Sequence, residues 1–223
     1  MFLGHFGVGF AAKPLAPRLS LGTLFLAAQF VDLLWPTLLL LGIERVEIVP
    51  GITRVTPLDF VHYPYSHSLV WVLGWAALFA LVCLLLRHSP RAAFVLAAAV
   101  VSHWLLDLVV HRPDLPLYPG DPHPLGLNLW ASVTATVAVE LPIFAVGVAL
   151  YLRATEAADA IGRWALWGLV AFLLAIYGAN LAGPPPPDAG AIAWVGQAQW
   201  LLILWAYWVD RHRRPVGAGA ASR

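Results

Sequence analysis

Charged residues are scarce in this chain. Of its 223 residues, 11% are Asp, Glu, Lys or Arg, whereas 61% are hydrophobic and the mean hydropathy is +0.77. Soluble domains carry about 25% charged residues, so this chain has too little charge to cover a water-exposed surface. The composition therefore excludes an ordinary soluble globular protein and predicts an integral membrane protein.

Cysteine and basic clusters are also nearly absent. Cys83 is the only cysteine and lies in an apolar run, which excludes a disulfide framework and a Cys-x-x-Cys metal site. The formal net charge is +1, and no basic block is longer than Arg211–Arg214, so the sequence carries no electrostatic footprint for nucleic acid. The expected partners are membrane lipids and a lipid-like substrate; the pattern leaves the oligomeric state open.

Six apolar stretches are long enough to cross a bilayer, which requires roughly 20 residues per helix. They cover residues 19–43, 68–86, 92–110, 125–152, 164–183 and 189–209. The connections between them are short and contain Pro and Gly, as expected for turns. We therefore predict an all-α, polytopic helix bundle over residues 1–210, with a short re-entrant or interfacial helix at its N-terminal end. Residues 211–223 form a basic tail that we expect to be disordered.

The basic residues predict the orientation of this bundle. Six spans place both termini on one side of the membrane. That side would hold Lys13, Arg18, Arg87, Arg91, Arg153, Arg163, Arg211, Arg213, Arg214 and Arg223, and the other side Arg45, Arg54 and Arg112. Because Lys and Arg are concentrated in cytoplasmic loops, both termini are predicted to lie in the cytoplasm and the protein in the cytoplasmic membrane.

Ionisable residues inside the predicted spans are the main indication of function. Asp32, His103, Asp107 and Glu140 each carry an insertion cost on the order of 2.5–3.5 kcal/mol, and such residues usually mark a working site. His103, Asp107 and His111 follow an i, i+4, i+8 spacing and share one stripe of a helix. The alternative is a buried polar network that only fixes helix packing.

Depth estimates bring three of these groups together. At a rise of about 1.5 Å per residue, Asp32, His103 and Asp107 all lie roughly 17–23 Å from the cytoplasmic ends of their spans, in the outer half of the membrane. Glu140 lies deeper. We expect Glu140 and His111 to contact the ligand and catalytic residues and to hold them in position, without contacting the metal themselves.

Three further histidines are candidates from outside the full-length spans. His62 and His67 lie in the outer loop that enters the second span, on the same side as the cluster. His5 belongs to the apolar segment of residues 1–12, which is too short to span. If this segment is re-entrant, His5 lies roughly 12 Å into the membrane and approaches Asp32; if it lies flat in the interface, His5 is on the wrong side.

Imidazole and carboxylate groups are typical ligands of first-row divalent metals, with Zn the most typical and Mn or Fe as alternatives. The expected metal ligands are His5, His62, His67, His103 and Asp107. Such a metal would lower the pKa of a bound water toward about 7 and allow hydrolysis without a Ser or Cys nucleophile. Asp32 or Asp107 would then act as general base or orient a ligand.

The order of these residues resembles the LexA-regulated family of membrane-bound metal-dependent hydrolases over residues 1–112. The resemblance rests on His5 in Gly4-His5-Phe6-Gly7, Asp32 in the next helix, the His62-x-x-x-x-His67-Ser68 motif, and the His103-x-x-x-Asp107 helix. It implies a metal-dependent hydrolase. The acidic helix departs from the Pro-Asp-x-Asp motif frequent in that family, and Tyr63 stands where Arg is usual.

The leading hypothesis is therefore a hydrolase that uses metal-activated water to attack a lipid or lipid-linked ester from the outer half of the membrane. A transporter, or a protein that handles ions or protons with the same His and Asp residues, is the first alternative. The chain shows no internal repeat of the kind that many transporters have. A non-catalytic membrane scaffold is the second alternative.

Overall fold

The computed structural model of the chain describes residues 1–216, which are mostly helical. The helices are α1 (Leu3–Ala11), α2 (Leu21–Ala28), α3 (Phe30–Leu40), α4 (Pro64–His67), α5 (Leu69–Leu85), α6 (Pro90–Val110), α7 (Val133–Ala154), α8 (Ala160–Ala182), α9 (Ala189–Gln197) and α10 (Gln199–Arg211). Two small antiparallel sheets pair β1 (Arg45–Ile48) with β2 (Leu58–His62) and β3 (Thr155–Ala157) with β4 (Arg213–Pro215). The chain is therefore mostly helical, as predicted, and the short strands pair backbone groups that lie outside the helices.

The long helices support a membrane protein. Within residues 1–216, four helical stretches are long and apolar enough to cross a bilayer: Pro90–Val110, Val133–Ala154, Ala160–Ala182 and Ala189–Arg211. The bent pair α2 and α3 provides a fifth candidate if it is one span. Helix α5 is apolar but has 17 residues, so it falls short of that length. The structure thus gives four or five candidate spans, and the count of six stays a prediction.

The first predicted span is broken in its middle. Helix α2 ends at Ala28, and α3 begins at Phe30 after a bend of 58° at Gln29. The sequence has no Gly or Pro at the break, so the apolar pattern predicted one continuous helix. The break places a helix end, with carbonyl and amide groups that lack partners in their own helix, within the bundle.

A second irregularity lies within α3. Pro36 has no N–H and so cannot donate to the carbonyl oxygen of Asp32, four residues earlier. The side chain of Gln199 instead donates to that oxygen, with Nε2 3.4 Å away. Gln199 begins α10 immediately after the break between α9 and α10. The two interrupted helices are therefore joined at their irregular points.

Helix α1 is an interior element. Most of its nine residues are buried, and Phe6 and Phe10 pack edge-on against Phe25 with ring centroids 5.0 and 4.8 Å apart. On the other side α1 lies directly against α7, because Gly7 and Gly147 face each other with no room for a Cβ atom at either position. This packing fixes the direction in which α1 presents His5.

The end of the described chain differs from the expectation. Residues 211–223 were predicted to be a disordered tail, but Arg211 ends α10 and Arg213–Pro215 forms β4. Arg213 donates to Thr155 Oγ1, to the Thr155 carbonyl and to the Gly162 carbonyl at 2.9–3.0 Å. Its partner strand, β3, lies some 58 residues earlier in the chain. Composition alone does not reveal such a pairing. The rest of the predicted tail, residues 217–223, lies outside the described residues.

Candidate metal centre

Five ionisable side chains from four helices converge in the interior of the bundle. They are His5 on α1, Asp32 on α3, His67 on α4, and His103 and Asp107 on α6. They form two overlapping groups, His5–His103–Asp107 and Asp32–His67–His103, in each of which one potential ligand atom per residue lies within 4.8 Å of the others. The depth argument from the sequence predicted this meeting of Asp32 with His103 and Asp107.

Asp107 lies at the centre of the cluster. Its Oδ1 is 3.1 Å from His5 Nε2, and its Oδ2 is 3.2 Å from His103 Nε2 and 3.8 Å from His67 Nε2. Asp32 Oδ1 lies 3.6 Å from Nε2 of both His67 and His103. Each histidine thus turns Nε2 toward a carboxylate oxygen.

The orientation of His103 is fixed by the break between α2 and α3. Its Nδ1 lies 2.8 Å from the carbonyl oxygen of Ala28, the last residue of α2. A carbonyl only accepts, so Nδ1 carries the hydrogen, and in the neutral ring Nε2 has a free lone pair. Nε2 is buried and has no hydrogen-bond partner among residues 1–216. A lone pair facing two carboxylates is repulsive unless a metal ion or a second ring proton lies between them.

His67 is held in the same tautomer by a side-chain hydroxyl, where His103 has a backbone carbonyl. The Ser66 hydroxyl donates to Glu44 Oε2 at 2.6 Å, so its oxygen is left to accept from His67 Nδ1 at 2.7 Å. Glu44 Oε1 also accepts from the backbone amides of Tyr65 and Ser66. Nε2 of His67 therefore presents a lone pair toward Asp32 and Asp107. A metal-binding histidine commonly donates the hydrogen of its other ring nitrogen to a partner of this kind, which fixes the orientation of the ring.

Glu44 is a charged member of this arrangement that the sequence did not indicate. It is buried, with 3% of its surface exposed. It lies in the connection after α3, where an acidic residue next to Arg45 looks like an ordinary solvated loop position. A buried carboxylate in such a loop becomes visible only when its contacts with Tyr65 and Ser66 are known.

His5 joins the cluster through the placement of α1. Its ring stacks on that of His103, with centroids 3.6 Å apart and planes inclined by 6°. The start of α1 is held by two acids, because the Met1 nitrogen contacts Asp107 Oδ1 and Glu140 Oε2 accepts from the amides of Phe2 and Gly4. Glu140 is thus not a member of either group; it fixes the helix that carries His5.

The structure does not bring His62 and His111 into the two groups. His62 ends β2 with an exposed side chain and faces the ring of Tyr65, whereas α4 begins two residues later and turns His67 inward. His111 ends the stripe of α6, and its Nδ1 bonds to Asp114 Oδ1 at 2.9 Å. Its ring lies 6.4 Å from that of His67, so it packs behind the cluster.

The charge balance of the cluster favours a cation. Among residues 1–216, no lysine or arginine lies within 4 Å of the carboxylate of Asp32 or Asp107. Asp32 is in the first turn of α3, where the helix dipole stabilises the ionised form. The Met1 ammonium contacts Asp107 Oδ1 and offsets one of the two carboxylate charges. With neutral histidines the cluster keeps one uncompensated negative charge, which is costly inside a protein and which a bound cation would offset. The orphaned Nε2 atom and the nitrogen and oxygen donors fit such an ion.

Access to the cluster is uneven. The side chain of Asp32 is 25% exposed, whereas those of the other four residues are at most 3% exposed. A molecule from outside the bundle therefore meets Asp32 first.

Comparisons with protein-family models, curated proteins and solved structures gave no match. The resemblance to membrane-bound metal-dependent hydrolases therefore stays a prediction from the motifs.

Proposed function

We propose that the protein is a metal-dependent hydrolase of the cytoplasmic membrane, acting on a lipid or lipid-linked ester from the outer half of the bilayer. One observation carries the proposal: His67 and His103, each tied at Nδ1, turn Nε2 toward the same two carboxylates. This arrangement suits a metal ion. A network that served packing alone would need a second proton on each ring, between Nε2 and the carboxylates, in place of the ion.

Four residues would hold the ion, namely His5, His67, His103 and Asp107, with Asp32 beside them. The donors are imidazole nitrogens and carboxylate oxygens without a thiolate, a set that suits Zn best and also Mn or Fe. Such an ion would supply Lewis acidity toward an ester carbonyl and activate water at neutral pH.

The exposed fractions of the two aspartates indicate which role each has in hydrolysis. Asp107 is buried and contacts His5 and His103, so it organises the ligands. Asp32 is the member that is reachable from outside, so we assign it as the general base that accepts a proton from water. The apolar helices around the cluster exclude bulk water, which strengthens these electrostatic interactions.

The proposed placement in the membrane has six spans and a re-entrant α1, with the segment after α1 and the end of α10 on the cytoplasmic side; Met1 itself is buried beside Asp107 within the bundle. Lys13, just after α1, pairs with Asp210 near the end of α10, with Nζ 2.8 Å from Oδ2. The segment after α1 and the end of α10 therefore meet at one face, which supports this topology. With 17 residues, α5 would reach about 26 Å, close to the thickness of the hydrocarbon core.

Hydrolysis by the full-length protein in vesicles tests the proposal. The vesicles would carry phospholipid and lipid-linked esters with labelled acyl chains and headgroups, and product release would be measured with added Zn²⁺, Mn²⁺ or Fe²⁺ and with a chelator. We expect metal-dependent release that is lost in Asp32→Asn and His103→Ala and retained in His62→Ala, the matched control outside the cluster. Proton or cation flux that is lost in Asp32→Asn, without ester cleavage, would overturn the proposal and identify the transport alternative.

A further inference from the structure

A second polar site lies at the opposite end of α1 from the metal centre. A cleft of about 540 Å³ opens where the segment after α1, the start of α2 and strand β4 meet. Its polar lining comes from Lys13, Arg18, Ser20, Asp210 and Arg213, and Pro17 and Pro215 form apolar parts of the wall. Three basic residues and one acid therefore share one concave surface.

The acid in this cleft is already neutralised. Lys13 Nζ lies 2.8 and 3.0 Å from the two carboxylate oxygens of Asp210 and 2.8 Å from the Leu19 carbonyl. These three contacts use all the hydrogens of the ammonium group. Tyr151 donates a further hydrogen bond to Asp210 Oδ1 at 2.8 Å. The Lys13–Asp210 pair thus forms a fixed, neutral floor.

The two arginines are not neutralised. Arg213 donates three of its five hydrogens to uncharged oxygens of Thr155 and Gly162, which hold its guanidinium in place. None of these oxygens carries a negative charge that would balance the charge of Arg213. Within residues 1–216, no carboxylate lies within 4 Å of Arg213 or Arg18. Arg18 is exposed at the edge of the cleft and free to turn toward a ligand.

A helix end adds to the positive potential. Ser20 lines the cleft and is the N-cap of α2, where its Oγ accepts from the amide of Thr23. The first amides of a helix and its dipole attract anions, and phosphate groups bind readily at such positions. Together with the two arginines, this end of α2 gives the cleft a positive electrostatic potential.

We propose that this cleft binds a phosphate group, carried by the headgroup of an anionic lipid in the cytoplasmic leaflet. In the proposed topology, the cleft lies on the face with most of the basic residues, where anionic lipids concentrate. Leu15, Trp164 and Trp208, in the connection after α1, at the start of α8 and near the end of α10, are 52%, 69% and 46% exposed. Exposed Trp side chains at span ends are typical of the headgroup level.

Native mass spectrometry of the full-length protein tests this inference. Lipid adducts would be counted after titration with phosphatidylglycerol, with zwitterionic phosphatidylcholine, and with inorganic phosphate alone. We expect phosphatidylglycerol to bind in preference to phosphatidylcholine. Arg18→Gln should weaken that binding about fivefold, the effect of one basic residue at an anionic surface. Arg163→Gln is the matched control, because Arg163 is an exposed residue at the start of α8 outside the cleft.

The outcomes separate the sources of the phosphate. Selective loss of phosphatidylglycerol adducts in Arg18→Gln supports the lipid site. Equal losses in Arg18→Gln and Arg163→Gln would show a diffuse surface charge effect and overturn it. Competition by millimolar inorganic phosphate that removes the adducts would assign the cleft to a soluble phosphate and overturn the lipid assignment. Because Arg18 is exposed, its substitution should leave the melting temperature in lipid-free detergent unchanged.

Discussion

The ring of His103 donates its Nδ1 hydrogen to the carbonyl oxygen of Ala28, 2.8 Å away on another helix. Ala28 ends α2, and carbonyls at the end of a helix lack partners within it. The break at Gln29 therefore supplies the acceptor that fixes the tautomer of a site residue. It also begins α3 and places Asp32 in the first turn of that helix, opposite the free Nε2 of His103.

Removing a proposed ligand should empty the metal centre. We expect His103→Ala and Asp107→Ala to lose metal affinity by more than about 100-fold, because a lost ligand costs more than a lost outer partner. Metal content of the purified proteins after equilibration with Zn²⁺ measures this. His62→Ala should retain the content of the unchanged protein, since His62 is exposed on β2. Equal metal in all four proteins would contradict the assignment of the site.

Ser66 should act on the metal through His67. Ser66→Ala removes the acceptor of the His67 Nδ1 hydrogen, so the ring is free to rotate and to change tautomer. We expect metal affinity to fall by about 10–100-fold, as for other outer partners of histidine ligands. A chelator competition measures the affinity. Ser102→Ala is the control, because Ser102 neighbours His103 but donates only to the carbonyl of Ala99; an equal loss in that variant would disprove a specific role of Ser66.

Glu44 should contribute to both stability and positioning. It accepts from the Tyr65 and Ser66 amides and from the Ser66 hydroxyl, and a glutamine at this position would offer one acceptor oxygen in place of two. We expect Glu44→Gln to lower the free energy of unfolding by about 1–3 kcal/mol, the cost of leaving buried donors unsatisfied. Unfolding in detergent measures it. Glu47→Gln, on the exposed face of β1, should leave stability within error.

The contact between α1 and α7 should be sensitive to a single methyl group. A Cβ atom at Gly147 would overlap the backbone of Gly7, so Gly147→Ala must push α1 away from α7 and carry His5 away from Asp107. We expect a destabilisation of about 1–3 kcal/mol, as for other overpacked interiors, together with a loss of metal affinity. Melting curves and metal titration measure the two effects.

Gly178→Ala is the matched control for that substitution. Gly178 also lies inside a long helix, α8, but a Cβ atom there meets nothing within 4 Å. Alanine favours helix by about 0.5–1 kcal/mol over glycine, so this variant should be as stable as the unchanged protein or slightly more so. If both variants lost stability equally, the close approach of Gly7 and Gly147 would not be the cause.

The sequence predicted the elements of the centre better than its fine geometry. The i, i+4 spacing placed His103 and Asp107 on one face, and depth along the spans placed Asp32 with them, because both follow from helix geometry alone. The tautomers of His67 and His103 depend on Ser66, Glu44 and Ala28, whose roles exist only through contacts between distant segments.

The errors of the sequence prediction have a common origin in irregular backbone. Residues 19–43 have no Gly or Pro next to Gln29, where the helix breaks. Their apolar pattern therefore indicated one helix, whereas the structure has two. The spacing of His62 and His67 did not show that strand β2 ends at His62 and that helix α4 ends at His67. Hydrophobic periodicity reports which side chains are buried and does not report where the chain changes direction.

Lys13 and Asp210 should stabilise the end of the bundle where α10 meets the segment after α1, but only when both residues are present. Their side chains are 5% and 12% exposed, so Lys13→Met leaves a nearly buried carboxylate without its cation. Breaking such a pair costs on the order of 3–5 kcal/mol, whereas replacing both partners by apolar residues is often neutral. We therefore expect Lys13→Met to unfold at lower denaturant than Lys13→Met/Asp210→Leu, despite carrying fewer substitutions. Unfolding in detergent compares them; a double variant less stable than the single one would show that the pair contributes through its own attraction.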